Sequence, residues 1–232
     1  MKYLKIVALL VLSISALVEE SQPHNSSNTF KYNSIGFHVF NNGETGIEAK
    51  LSLPLPGPLY FLTEAKADDV SVDDESYERL SKALRIGVHA GVGDVLNSIS
   101  IGNISFKLKN FMDIFMEVGI KVTDFDNENF SENNTEANVI TGVRFGDSNG
   151  WEGKIFADLT KETEIVQFSC PKDLICTAVE SSQVSYILDD ETDKKYGFTT
   201  IYNFNNNGSF FVEIKTSTLL DSSIKIGYQL NF

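Results

Sequence analysis

Ser223-Ile224-Lys225-Ile226-Gly227-Tyr228-Gln229-Leu230-Asn231-Phe232 is the stretch that decides the fold. Ile224, Ile226, Tyr228, Leu230 and Phe232 share one face, and Ser223, Lys225, Gly227, Gln229 and Asn231 share the other. Successive side chains of an extended chain point to opposite sides, so strict alternation marks a strand whose two faces meet different surroundings. A helix would scatter the same five apolar residues around its circumference.

The rhythm repeats upstream. Phe210, Val212, Ile214 and Thr216 oppose Phe211, Glu213, Lys215 and Ser217, and Tyr196, Phe198, Thr200, Tyr202 and Phe204 oppose Gly197, Thr199 and Asn203. Leu84, Ile86, Val88, Ala90 and Val92 oppose Arg85, Gly87, His89, Gly91 and Gly93. Met112, Ile114, Met116, Val118, Ile120 and Val122 oppose Asp113, Glu117, Gly119, Lys121 and Thr123. Further alternating segments fall near 30–40, 44–53, 58–67, 98–109, 136–146, 150–160 and 178–189, giving about 10 to 12 strands, each long enough to cross a hydrocarbon layer at a tilt. Tyr77, Leu80 and Leu84 have the spacing of one or two helical turns within Asp73 to Leu84.

The connections fall into two kinds. Gly146 to Gly150 and Asn205 to Gly208 are tight and rich in Asn and Gly, flanked by Phe145, Trp151, Phe204 and Phe210. Asp68 to Glu78, Asp124 to Glu136 and Asp189 to Lys195 read as long acidic loops. Pro54, Pro56 and Pro58 sit together between two strands, where a residue without an N–H costs no ladder bond.

The 232 residues carry 19 Lys and Arg against 32 Asp and Glu, a formal charge of −13. That field repels a polyanion, so nucleic-acid binding is excluded. Met1 to Ala16 reads as a secretory signal, with Lys2 and Lys5 before the apolar run Ile6 to Leu12 and small residues at Ser13, Ser15 and Ala16. Residues 17–28 read as a flexible periplasmic leader holding His24, and 29–232 as the folded domain. Beyond the signal no apolar run is long enough for a membrane-spanning helix. Export implies an oxidising compartment, where Cys170 and Cys176 are expected to form a disulfide.

Alternation does not say which face is inside. The polar face collects Glu48, Lys50, Arg85, Lys107, Lys109, Asp113, Glu117 and Lys121, then Arg144, Glu152, Lys154, Asp158, Glu213, Lys215 and Lys225. Inside a narrow barrel such a mixed-sign set would pair across the lumen; on a soluble fold it would be a solvated face. Lys225, Gly227, Tyr228, Leu230 and Phe232 settle the preference. This run resembles the last-strand assembly signal of bacterial outer-membrane β-barrels, in which a polar residue, a glycine and an apolar residue lead to a terminal aromatic. The resemblance implies a small OmpA-like or porin-like barrel in the outer membrane of a Gram-negative bacterium. It also implies contact with lipid and lipopolysaccharide, and a last strand that the barrel assembly machinery reads before it closes onto the first.

Chemistry is sparse. His38 and His89 fall on the polar face, but no Gly-x-Ser-x-Gly elbow, His-x-x-x-His pair or phosphate loop accompanies them, so no enzyme and no cofactor is expected. The acidic clusters Asp68, Asp69, Asp73, Asp74, Glu75 and Asp189, Asp190, Glu191, Asp193 offer carboxylate oxygens to divalent cations, or simply keep loops solvated. The expectation is an all-β, closed, antiparallel up-and-down transmembrane barrel of 10–12 strands. Its role would be structural or that of a narrow porin-like passive conduit with acidic extracellular loops. A soluble lipocalin-like barrel with an apolar ligand, and a lipid-modifying barrel enzyme using His38 or His89, are the alternatives.

Overall fold

The computed structural model describes residues 30–43, 45–72, 75–93, 111–126, 131–168, 185–192, 194–204, 207–217 and 222–232. Twelve strands follow one another: β1 (Ser34–Asn41), β2 (Thr45–Pro54), β3 (Leu59–Val72), β4 (Glu75–Gly91), β5 (Met112–Asp126), β6 (Ser131–Gly146), β7 (Trp151–Asp158), β8 (Lys161–Phe168), β9 (Ser185–Thr192), β10 (Lys195–Asn203), β11 (Gly208–Thr216) and β12 (Ser223–Asn231). Ten of them form a closed antiparallel barrel in the ring order β1, β12, β11, β10, β7, β6, β5, β4, β3, β2. β8 and β9 pair only with each other among the described strands, as a hairpin inserted between the neighbours β7 and β10. Closure pairs the first strand of the ring with the last, which is how an all-β chain satisfies its ladder groups where no water is at hand, while the distal ends of β3 and β6 overhang their neighbours.

The seam is made by the stretch quoted above. β12 pairs with β1 from Ser34 opposite Asn231 to Asn41 opposite Ile224. Ser34 and Asn231 therefore mark one rim, called the terminal rim here, and the turns at 55–58 and 147–150, with Asn203 and Gly208 at the ends of β10 and β11, lie on it. The hairpins β1–β2, β3–β4, β5–β6 and the β8–β9 insertion lie at the opposite, distal rim.

Alternation sets the faces as the charged set demands. Ile86, Ile114, Val118, Ile120, Ile155, Ile214, Ile224 and Ile226 are exposed on the outside, while Glu48, Arg85, Asp113, Glu117 and Arg144 are buried inside. On β5 the outward apolar residues run from Met112 to Val122. Ten steps at about 3.3 Å per residue and a tilt of about 40° give a band roughly 25 Å tall. Near the terminal rim an aromatic row runs around the outside through direct cross-strand neighbours, from Phe37 to Tyr228, Phe210, Tyr202 and Trp151. Trp151 is 62% exposed and packs on Tyr202 with ring centroids 4.7 Å apart.

Several readings are corrected. Asp73 to Leu84 is no helix: its described part belongs to β4. The acidic stretches 68–78 and 124–136 are not long loops but the ends of long strands, with only 73–74 and 127–130 between strand ends. Asp189 to Thr192 likewise belongs to β9. The first strand starts at Ser34 instead of 30, and the segment 98–109 lies outside the described residues. The signal, the leader with His24, Lys107, Lys109, Cys170 and Cys176 lie outside the described residues.

Candidate functional site

The lumen is a packed column of charge. At the terminal rim, residues 30–33 turn into the barrel mouth instead of extending β1. Arg144 Nη1 donates to the Lys31 carbonyl at 2.7 Å, and Ser52 Oγ donates to the Tyr32 carbonyl at 2.6 Å. The Tyr32 hydroxyl donates to Asp113 at 3.1 Å, and its ring stacks on His89 with centroids 4.0 Å apart. The Arg144 guanidinium also lies over the rings of Phe30 and Tyr32. The segment is thus a short plug, held through its backbone and its rings.

Above the plug the charges pair across strands. Lys225 reaches Glu48 at 2.6 Å and Glu213 at 3.4 Å, and His38 Nδ1 lies 2.9 Å from Glu48 Oε1. Arg85 is held by Glu64 at 2.7 Å, by Glu117 at 3.1 Å and by the side-chain amide oxygen of Asn138 at 2.6 Å. The Tyr60 hydroxyl donates to Glu117 at 2.9 Å. Arg144 meets Glu152 at 2.6 Å, and Lys121 meets Glu136 at 3.1 Å. Lys215 stands 3.7 Å from Asp158. Glycine makes room for the bulky members: a Cβ on Gly87 would lie 2.1 Å from the Tyr60 ring.

Among the described residues the lumen holds one small cavity of about 120 Å³ toward the distal rim and another of about 100 Å³ toward the plug. Each holds a few waters' worth of space and falls far short of an open aqueous channel. Both are lined by Glu48, Lys50, Glu117, Lys154, Glu213 and Lys225. These six side chains, three acidic and three basic, form a waist between the cavities. Lys154 lies over the rings of Phe115 and Phe156, 4.4 and 5.2 Å from their centroids. Among the described residues neither Lys50 nor Lys154 stands within ion-pair distance of a carboxylate.

Of the charges assigned to the lumen from sequence, Glu48, Arg85, Asp113, Glu117, Lys121, Arg144 and Glu152 are buried in it, and Lys50, Lys154, Glu213 and Lys215 line its cavities. Sequence reading missed Glu64, Tyr60, Asn138 and the plug. β3 begins Leu59, Tyr60, Phe61, Leu62, apolar on both faces, so no period marks which side is inside. His38 and His89 are interior groups. The acidic cluster at Asp68 is split by the pleat: Asp68 is buried beside Arg79, whose Nε donates to it at 2.8 Å, while Asp69 points away. Among the described residues no group of three His, Cys, Asp or Glu is placed to hold a metal ion.

No family model and no curated protein matches the chain. Solved structures similar to it include a KdgM porin in complex with disordered oligogalacturonate, with TM-score 0.46 and 8% identity over 86% of this chain and 99% of that one. The translocator domain of the autotransporter NalP from Neisseria meningitidis has TM-score 0.43 and 8% identity over 99% and 96%. Outer membrane phospholipase A from Escherichia coli has TM-score 0.36 and 9% identity over 90% and 95%.

Proposed function

We propose that the chain is an outer-membrane β-barrel of a Gram-negative bacterium and serves as a narrow, plugged conduit for small charged solutes. The observation that carries this reading is the lumen: two cavities in series, sharing one ring of six charged side chains. The membrane part is supported by orientation. An apolar band about 25 Å tall with an aromatic row at one edge suits acyl chains and a headgroup layer. The same surface in water would be an aggregation liability. A soluble barrel with an apolar ligand would need apolar side chains inside and charges outside, the reverse of what Val212, Ile224, Glu213, Lys215 and Lys225 show. The terminal rim then faces the periplasm and the distal hairpin ends face outward, where Lys82 and Asp124 pair at 2.8 Å just above the apolar band. Lipopolysaccharide would meet those hairpin ends.

Purified protein in a planar bilayer is expected to give small, discrete conductance steps. Tyr32→Ala, which removes the stacking on His89 and the bond to Asp113, should loosen the plug and raise the step size about twofold. A silent wild type and a silent variant would end the conduit reading and leave a structural barrel. The membrane reading has its own test. Val118→Arg places a cation mid-band and is expected to cost about 2–4 kcal/mol in a bilayer. The folded fraction in lipid vesicles should fall, while yield in detergent-free buffer should not rise.

A further inference from the structure

We infer that His38 is a proton-binding site of the lumen, whose protonation turns a charge-balanced waist into one that prefers anions. The inference rests on the conduit reading for its effect on ions, but not for the proton site itself. His38 points inward from β1, and its side chain is only 3% exposed. Its Nδ1 stands 2.9 Å from Glu48 Oε1. Lys225 donates to the other Glu48 oxygen at 2.6 Å, which holds Glu48 as a carboxylate, and a carboxylate only accepts. The proton of the neutral ring therefore sits on Nδ1, and Nε2 is a bare acceptor. Nε2 is buried and has no hydrogen-bond partner among the described residues. Glycines make room for the ring: a Cβ on Gly36 would lie 2.5 Å from Nε2, and one on Gly227 would lie 2.3 Å from Cδ2. The ring stands edge-on to Phe211 with centroids 4.3 Å apart, and it lines the lower cavity.

Protonation at Nε2 adds a charge without breaking a bond. The Nδ1–H keeps Glu48, and that bond becomes charge-assisted from both sides. Gln229, opposite Gly36 on β12, also lines the lower cavity; its amide nitrogen donates to Asn231, which leaves its side-chain oxygen as an acceptor for the new N–H. The charges around the ring cancel. β2 presents Glu48 and Lys50, β12 presents Lys225 and β11 presents Glu213, while β1 carries no other titratable side chain. Across the cavity Glu117 and Lys154 are opposite in sign, and Lys31 stands at the plug end. Arg144 is held by Glu152, Arg85 by Glu64, and the Tyr32 and Tyr60 hydroxyls donate to Asp113 and Glu117. The waist is thus neutral while His38 is neutral, and it gains one positive charge when His38 takes a proton. In so narrow a lumen one uncompensated charge beside a low-dielectric wall decides which ion is admitted. Imidazole is the side chain whose charge changes between about pH 5 and 8. His89 is placed differently: it lines neither cavity and lies under the Tyr32 ring beside Asp113.

The test has two arms. The first is nitrogen NMR of the folded wild type in micelles, with histidine labelled and His38 identified by its cross-peaks to the Phe211 ring. At about pH 8 His38 should carry its proton on Nδ1 alone, and at about pH 5.5 on both nitrogens. The second arm is the reversal potential of wild type in a planar bilayer under a KCl gradient. The chloride-to-potassium permeability ratio should rise about tenfold between the same two pH values. His38→Asn, whose amide nitrogen replaces Nδ1–H against Glu48, should lose that rise, and His89→Gln should keep it. Folding of each variant is checked by heat-modifiable migration, and the first arm decides the site even where a variant fails to fold. A proton on Nε2 at the alkaline end, or no titration across the range, would overturn the site. A titrating His38 with no rise in wild type, or a rise that survives in folded His38→Asn, would overturn the switch. A titrating His38 in a silent barrel would overturn the conduit, and the switch with it, and leave the proton site standing.

Discussion

Arg85→Ala should cost the barrel about 3–5 kcal/mol, the largest loss expected from any single lumen side chain. The magnitude is that of leaving buried charge without its partner. Arg85 is 3% exposed and is the common partner of Glu64, Glu117 and Asn138, on three different strands. Removing it strands two carboxylates in the barrel interior and leaves the Asn138 oxygen without its donor. Glu117 keeps one hydrogen bond, from Tyr60, and Glu64 retains some solvent, so the loss should fall short of two fully isolated ions. Arg85→Lys is the informative companion: it keeps the charge but cannot present three donors in a fixed fork, and should lose about half as much. Urea titration of the folded barrel in detergent micelles, followed by tryptophan emission from Trp151, measures both. Equal stability of Arg85→Ala and wild type would mean that water, not the guanidinium, satisfies these carboxylates.

The same cluster shows how far sequence reading reaches. Arg85 and Glu117 were visible as lumen residues because β4 and β5 alternate without a break, Ile86 against Gly87 and Val118 against Gly119. Each inward charge is flanked by outward aliphatic residues, and the period alone assigns it. Glu64 belongs to the same ion cluster but was invisible. Its strand opens with apolar residues on both faces, because near the terminal rim the lumen is filled by Tyr60 and Leu62 instead of charge. Period-2 logic fails wherever inside and outside are both apolar.

A related failure hid the plug. Lys31 and Tyr32 precede β1 with a pattern compatible with a strand, and only the tertiary partners Arg144, Ser52, Asp113 and His89 turn the segment inward. Those partners lie between 20 and 113 positions away for the hydrogen bonds, so no local signal carries them. The acidic stretches failed differently. Strands β3 to β6 continue well past the apolar band, and there the outer face is mostly polar while only scattered aromatics, Tyr77 and Phe125, are buried on the inner one, so a paired hairpin reads as a loop. Strand number was bounded but not fixed, because the stretch from Glu162 to Ser182 breaks the rhythm; its described part belongs to β8, which pairs with β9 outside the ring.

Gly227→Val should all but abolish the folded barrel, a larger effect than the loss of any apolar side chain from β12. The reason lies at the seam. Gly227 pairs with His38 on β1 and with Phe211 on β11, the contacts by which the last strand closes the ring. A Cβ placed there would lie 2.3 Å from the His38 ring, 2.7 Å from the Phe37 carbonyl oxygen and 2.9 Å from the Phe211 ring. A flexible side chain could yield, but Phe37 O is backbone of the partner strand, so relief requires β1 and β12 to part. His38 cannot swing away freely either, since it is tied to Glu48, which in turn holds Lys225 on β12. Closure and lumen packing therefore fail together, and a barrel that cannot close exposes two strand edges to lipid. Gly227→Ala should show a partial loss. The measurement is the heat-modifiable folded fraction after refolding into vesicles without any assembly factor. Refolding in pure lipid separates two origins of the glycine in the last-strand signal. If Gly227→Val refolds normally there but fails in cells, the glycine serves recognition alone; failure in both places puts its role in the geometry of closure.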